Sequence, residues 1–207
     1  FKSSFLGLVA LLFLSNSSFA QGLFFERIYD ETLSQASYVI GDAQTKEVIV
    51  IDPKRDIDTY LQIAEKHNLK ITKITETHIH ADFLSGSREL AAVTKAPLYL
   101  SDEGGKDWQY DFPHTGLKDG DKISVGSITI EVIHTPGHTP ESLTFLVKDD
   151  TENPIKAITG DFIFVGDVGR PDLLEKAAGQ IGSQELGAKQ LYRSIEKFLK
   201  LPDNTEI

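Results

Sequence analysis

The chain has 207 residues, with 31 acidic against 21 basic side chains, a formal net charge of −10 and no Cys. Without Cys there is no disulfide, no thiolate zinc site and no cysteine nucleophile, so any metal must be held by His and carboxylate. The acidic balance, with no run of basic residues, speaks against nucleic-acid binding and otherwise describes a solvated surface.

The sequence starts at Phe1 rather than at Met. Lys2, the apolar run Phe5 to Leu14, and Ser15-Asn-Ser-Ser-Phe-Ala20 with its small-x-small ending read as most of a secretory signal. The run is too short to span a bilayer. Residues 1–20 are therefore expected to be cleaved, leaving residues 21–207 as one periplasmic domain with no stable membrane insertion.

Leu23 to Tyr29, Ala36 to Asp42 and Glu47 to Asp52 read as three strands, the last two joined as a hairpin through Asp42-Ala-Gln-Thr-Lys46. Pro53 ends the third, because proline cannot donate to a ladder. Ile57, Tyr60, Leu61 and Ala64 share one helical face, with Asn68 as the stop. Ile71 and Ile74 alternate with Thr72 and Thr75 in a fourth strand, and Ser87 to Thr94 is rich in helix formers. Ala96 to Leu100 is a further strand. Ser101 to Thr115 is irregular, with Trp108, Tyr110, Phe112 and His114, and is expected to be folded down on its own aromatics more than to line a mouth. Lys122–Val125 and Ser127–Ile133 form a hairpin at Gly126, and strands follow at Leu143–Val147 and Ile155–Ile158. Ser183 to Lys200 closes as a helix with Leu186, Gln190, Leu191, Ile195, Phe198 and Leu199 along one stripe. This order suits two packed β-sheets with helices outside.

Three strand ends carry polar clusters. The first is Thr77-His78-Ile79-His80-Ala81-Asp82-Phe83, where a strand runs out and a helix begins, an edge at which α/β folds place their sites. One loop His is ordinarily a surface residue. Two His and an Asp in one turn are costly to desolvate unless a cation sits among them, and point to metal. The second cluster is His134-Thr-Pro-Gly-His138-Thr, and the third is Thr159-Gly-Asp161. His67, His114 and His134 have ordinary surface or packing readings.

His-x-His-x-Asp, Pro-Gly-His-Thr and Thr-Gly-Asp in this order resemble the metallo-β-lactamase superfamily, over nearly all of residues 21–207. The resemblance implies an α/β fold, the four-layer αββα sandwich, with a metal site on one edge. Within it, Ile51-Asp-Pro-Lys-Arg-Asp56, Glu76 to Gly86, Arg88-Glu-Leu-Ala91 and Gly160 to Leu173 are most similar to the persulfide dioxygenases, especially the bacterial branch often fused to rhodanese domains. That family implies one Fe(II) per chain held by His78, His138 and Asp161, with His80 and Asp82 as catalytic neighbours. Its reaction oxidises a thiol persulfide, glutathione persulfide or similar, with O2 to sulfite and free thiol. Arg170 is a further catalytic candidate, with a structural pairing to Asp172 or Asp167 favoured.

Phe83 bears most on the choice within the superfamily, by arguing against a second metal; some persulfide dioxygenases outside the bacterial branch keep a His there. Binuclear hydrolases of the superfamily have His at this position, and Phe cannot bind metal, so a second zinc would lose a ligand. The competing expectations are a zinc hydrolase of the glyoxalase II or lactamase kind and a non-catalytic binding module. Family members usually run beyond a segment like Leu201–Ile207 into a further strand and a Pro-x-His segment, so the domain is expected to be incomplete at its C-terminus. Self-association as a homodimer is left open.

Overall fold

The computed structural model describes residues 22–179 and 181–207. The signal reading of residues 1–20 lies outside the described residues. Among the described residues no helix is long and apolar enough to cross a membrane.

Six strands form the first sheet in the order β1 (Leu23–Asp30), β2 (Gln35–Asp42), β3 (Glu47–Ile51), β4 (Lys70–Thr75), β5 (Leu98–Ser101) and β6 (Thr115–Leu117). β1, β2 and β3 are antiparallel, and β3 to β6 run parallel. The parallel strands are linked by crossover helices α1 (Asp58–His67) and α2 (Ser87–Thr94). Four strands form the second, antiparallel sheet in the order β10 (Pro154–Ile158), β9 (Leu143–Lys148), β8 (Ile128–His134) and β7 (Lys122–Val125). β11 (Ile163–Phe164) and β12 (Asp167–Val168) make a small hairpin, followed by α3 (Leu173–Ala178) and α4 (Ser183–Phe198).

The period-2 rule sorts the core into three layers. Val39, Val48 and Val50 face Tyr60, Ile63 and Leu90 of α1 and α2. Their neighbours Ile40, Ile49 and Ile51 face the second sheet, meeting Val125, Ile130, Val132, Phe145 and Val147. On the far side Ile133, Leu146 and Ala157 are covered by Leu191 and Phe198 of α4. Helix, sheet, sheet and helix stack in that order, which is the αββα sandwich. Val48 to Ile51 are all 0% exposed, as expected of a strand buried on both faces. Each such side chain contributes about 1.5–3 kcal/mol on burial.

Three details differ from the sequence reading. β6 begins at the last residue of the loop read as irregular, and α3 forms in a stretch to which the sequence reading gave no element. The buried face of α4 is Gly187, Leu191, Ser194 and Phe198, while Leu186 and Leu199 are 60% and 76% exposed. The face rotates because α4 lies against Gly137, whose φ is +149° and where an added Cβ would stand 2.6 Å from the Leu191 Cα. The helix therefore presents its smallest residue and Leu191 to that loop, and swings Leu186 outward.

Candidate metal centre

β4 ends at Thr75, and the next three residues turn over the sheet edge with their side chains inward: Glu76, Thr77 and His78 are 4%, 1% and 3% exposed. His138 sits on the β8–β9 loop. That loop is pinned by Thr139 Oγ1 with Ser142 Oγ at 2.6 Å, Thr135 Oγ1 with Thr144 Oγ1 at 3.0 Å, and Ser194 Oγ donating to the Pro136 carbonyl at 2.8 Å. Asp161 follows β10 through Gly160, which has φ +51° and whose added Cβ would stand 2.4 Å from Thr77 Oγ1. Only glycine lets these two loops touch.

The three segments bring His78, His138 and Asp161 together. Asp161 Oδ2 is 3.9 Å from His78 Nε2 and 3.6 Å from His138 Nε2, and the two imidazoles meet edge to face at 5.0 Å between centroids. All three ligand atoms lie within 4.8 Å of one another, a group that could hold a metal ion. An ion with bonds of about 2.1 Å spaces its ligands roughly 3.0–3.4 Å apart, so a closure of these side chains by about an ångström accommodates it. Burial, with the His80 and His138 rings beside it, drives the His78 pKa well below its ordinary value, which leaves its ring neutral and a lone pair free. The Asp161 carboxyl is pushed up by burial against the pull of the His138 and His80 rings.

The orientation of His78 is set from behind. Its Nδ1 is 2.9 Å from Thr77 Oγ1, and that hydroxyl donates to Asp52 Oδ2 at 2.8 Å. The hydroxyl proton is thus committed to Asp52, so Thr77 accepts from Nδ1–H, and Nε2 is the nitrogen turned to the group. Asp52 also takes the Thr77 N–H at 2.6 Å. It does so from the left-handed region, at φ +52°, a conformation that Asp adopts more readily than most residues. Replacing Thr77 by valine is expected to weaken metal affinity about 10–100-fold while the fold survives, and serine at this position is expected to keep it near the parent value. Metal competition titrations of the two variants check this.

The His80 ring packs on that of His78 at 4.1 Å between centroids, but its Nε2 faces a different pair of acids. Its Nε2 lies 3.1 Å from Asp52 Oδ1 and 3.2 Å from Glu76 Oε2. Nε2 makes no hydrogen bond of good geometry there, so the contact is one between charges. Burial opposes a charge on His80, but the Asp52 and Glu76 carboxylates outweigh it and hold its pKa well above the ordinary value. The hydroxyls of Ser85 and Ser87 donate to the other oxygen of Glu76. Asp52, Glu76 and His80 form a second group with ligand atoms within 4.8 Å. The Phe83 ring stacks on His80 at 4.4 Å between centroids. Between the two histidines, the Ile79 N–H donates to the fully buried Glu141 carboxylate at 2.7 Å.

Asp82 is exposed, beside Asp161 on two cavities. One is a cleft of about 690 Å³ that reaches Arg27, Tyr38 and Phe164. The other is a chamber of about 360 Å³ between Trp108, Leu173 and Leu174. Arg170 lies outside both, 61% exposed, with its guanidinium on Asp172 at 3.1 and 2.7 Å. The Lys176 ammonium takes the same carboxylate at 2.7 Å, and hydrogen bonds from both cations hold the Asp172 pKa well below its usual range. The irregular loop divides. Tyr110 and Phe112 fold onto the first-sheet core, while Trp108 faces the chamber. Sequence reasoning gave no site role to Asp52, Glu76, Glu141, Leu173 or Leu174. The signal in the sequence for Asp52 and Glu76 was only a carboxylate directly after each of two strands.

The sequence profile of the metallo-beta-lactamase superfamily matches residues 31–205. A solved structure described as a metallo-beta-lactamase from Staphylococcus aureus is 48% identical with a TM-score of 0.84, covering 89% of this chain and 55% of that one. The crystal structure of ETHE1 from Myxococcus xanthus is 31% identical with a TM-score of 0.72, covering 87% of this chain and 72% of that one. The mitochondrial persulfide dioxygenase ETHE1 of Bos taurus is 30% identical over 177 residues, 81% of this chain and 60% of the relative. The chain thus spans about 60% of that curated relative's length. With an αββα sandwich, a His–His–Asp group at its edge and a profile match over most of its length, the chain belongs to the metallo-β-lactamase superfamily.

Proposed function

We propose that the protein is an iron-dependent persulfide dioxygenase, taking a thiol persulfide, O2 and water to sulfite and the free thiol. The observation that carries this reading is the arrangement around His78. Two imidazoles and one carboxylate converge there, while His80 is turned to Asp52 and Glu76 and Phe83 occupies the position where a second ion would need a ligand. Two His and one carboxylate is the ligand set of mononuclear ferrous oxygenases. A ferrous ion bound by His78, His138 and Asp161 would supply the redox chemistry with O2 and open positions for substrate.

The chain's own residues do the rest. Thr77 and Asp52 fix the tautomer of His78. Glu141 holds the turn between the histidines. Asp82, exposed beside Asp161, is placed to hold the water that releases the oxidised sulfur. Arg170 braces the segment between β12 and α3 through Asp172. The similarity to ETHE1 of Myxococcus xanthus and to the cattle persulfide dioxygenase supports the reading.

The test is metal analysis of protein made without air, followed by oxygen uptake with glutathione persulfide. The expected result is about one iron per chain, with O2 consumed and sulfite formed in equal amounts. A zinc hydrolase is the second reading, favoured by the name of the Staphylococcus aureus structure and by the retained Asp82. Stoichiometric zinc, with thioester or lactam cleavage and no oxygen uptake, would establish that reading instead.

A further inference from the structure

The chamber of about 360 Å³ beside the metal group has a lopsided lining. Its ionisable residues, His78, His138, Asp82 and Asp161, belong to the metal group and its immediate neighbour. The rest of the wall is Ile79, Ala81, Trp108, Thr139, Leu173 and Leu174. Among the described residues no Lys or Arg lines it. Apart from the metal itself, a carboxylate entering the chamber would meet the Asp82 and Asp161 carboxylates and no cationic side chain among the described residues, in a chain already at −10. An alkyl group would meet an indole and two leucines. The volume is in the range of small-molecule sites, and apolar walls with polar groups at one end are their usual form.

Two separate segments build this wall. Trp108 closes a single 3-10 turn (Lys106–Trp108) on the β5–β6 connection, which the Gln109 amide ties to the Gly105 carbonyl at 3.1 Å. Leu173 and Leu174 open α3, which is anchored at its start by Asp172 through Arg170 and Lys176. Both segments are held by contacts that do not involve the chamber walls, which sets their apolar side chains beside the metal group.

We propose that this chamber seats the carbon chain next to the reacting sulfur, and that it selects persulfides whose first carbons are uncharged hydrocarbon, leaving any carboxylate of the carrier outside. This deepens the dioxygenase reading and rests on it for the identity of the sulfur group. Trp108, Leu173 and Leu174 are the specificity-determining residues.

The experiment uses two readouts, one independent of turnover. Trp108 is the only tryptophan of the chain, so intrinsic fluorescence reports the chamber directly. Straight-chain alkanols from butanol to octanol, titrated into the protein, are expected to shift Trp108 emission saturably. Affinity should rise about three- to fourfold per added carbon, the factor that ~0.8 kcal/mol per buried methylene gives. Carboxylates of equal length are expected to bind at least tenfold more weakly. Leu174→Lys, on the half-exposed α3, should abolish the alkanol series while metal content and the circular dichroism spectrum stay unchanged. In turnover, kcat/KM for n-alkyl persulfides should climb with chain length in the parent protein and stay flat in Leu174→Lys. An emission response that is absent, that has no dependence on chain length, or that persists in Leu174→Lys overturns the proposal. Oxygen uptake that fails with every persulfide while the alkanol series holds would overturn the dioxygenase reading and leave an apolar subsite.

Discussion

His138→Ala is expected to lose bound metal and oxygen uptake together. The His138 side chain is one of three candidate ligands, while the loop beneath it is secured by Thr135, Thr139, Ser142 and Ser194, none of which the substitution touches. The fold should therefore persist, and loss of metal is not a by-product of unfolding. Removing a partner behind a ligand typically costs 10–100-fold in affinity, and removing the ligand itself should cost more, about a thousandfold or beyond. Metal analysis after dialysis, with an oxygen electrode on the same sample, makes the measurement. Retention of metal at the parent occupancy would mean that His138 is not a ligand.

His80→Ala is expected to produce the largest loss of stability of any single substitution near the site. It would leave Asp52 and Glu76, 2% and 4% exposed, facing one another with no cation between them. Breaking a buried pair in this way costs about 3–5 kcal/mol. For a domain of this size each kcal/mol is worth roughly 2–4 °C, so the midpoint should fall by about 10 °C. The pH dependence has a definite sign. The folded His80 pKa is raised, so its contribution is fully present below its ordinary value of 6.5 and is lost as pH rises through the raised value. The gap between parent and variant should therefore narrow towards alkaline pH. Adding Glu76→Gln to His80→Ala should recover part of the loss, since one unpaired charge is gone. Thermal melts of the three proteins from pH 6 to pH 10 decide it, and a His80→Ala midpoint within 2 °C of the parent would refute the ion-pair assignment.

Most of the sandwich was legible because its strands are long and alternate. β2, β3, β8 and β9 each carry three or more apolar residues between turn signals, and Asp42–Lys46 and Gly126 mark hairpins by their chemistry. β6 was not legible. Three residues, Thr115–Leu117, carry no period, and their strand character comes only from pairing with β5. α3 was missed for the related reason that six residues lie far below the length at which a helix stands alone. The loop motifs placed His78, His138 and Asp161 at strand ends, but their approach to one another is a property of the folded edge. Asp52 and Glu76 read as ordinary strand termini, because the sequence does not say that β3 and β4 are adjacent and parallel, which is what brings both acids to His80.

His78 leaves the first sheet at the end of β4, whereas His138 and Asp161 leave the second, from the β8–β9 loop and from the end of β10. An ion gripped by all three would act as a rivet between the two halves of the sandwich. Parting those halves during unfolding would first require its release. Resistance to heat would then track free metal concentration, gaining about 2.7 kcal/mol at a hundred times the dissociation constant. Starvation for that metal would thus expose the protein to proteolysis as well as silence it.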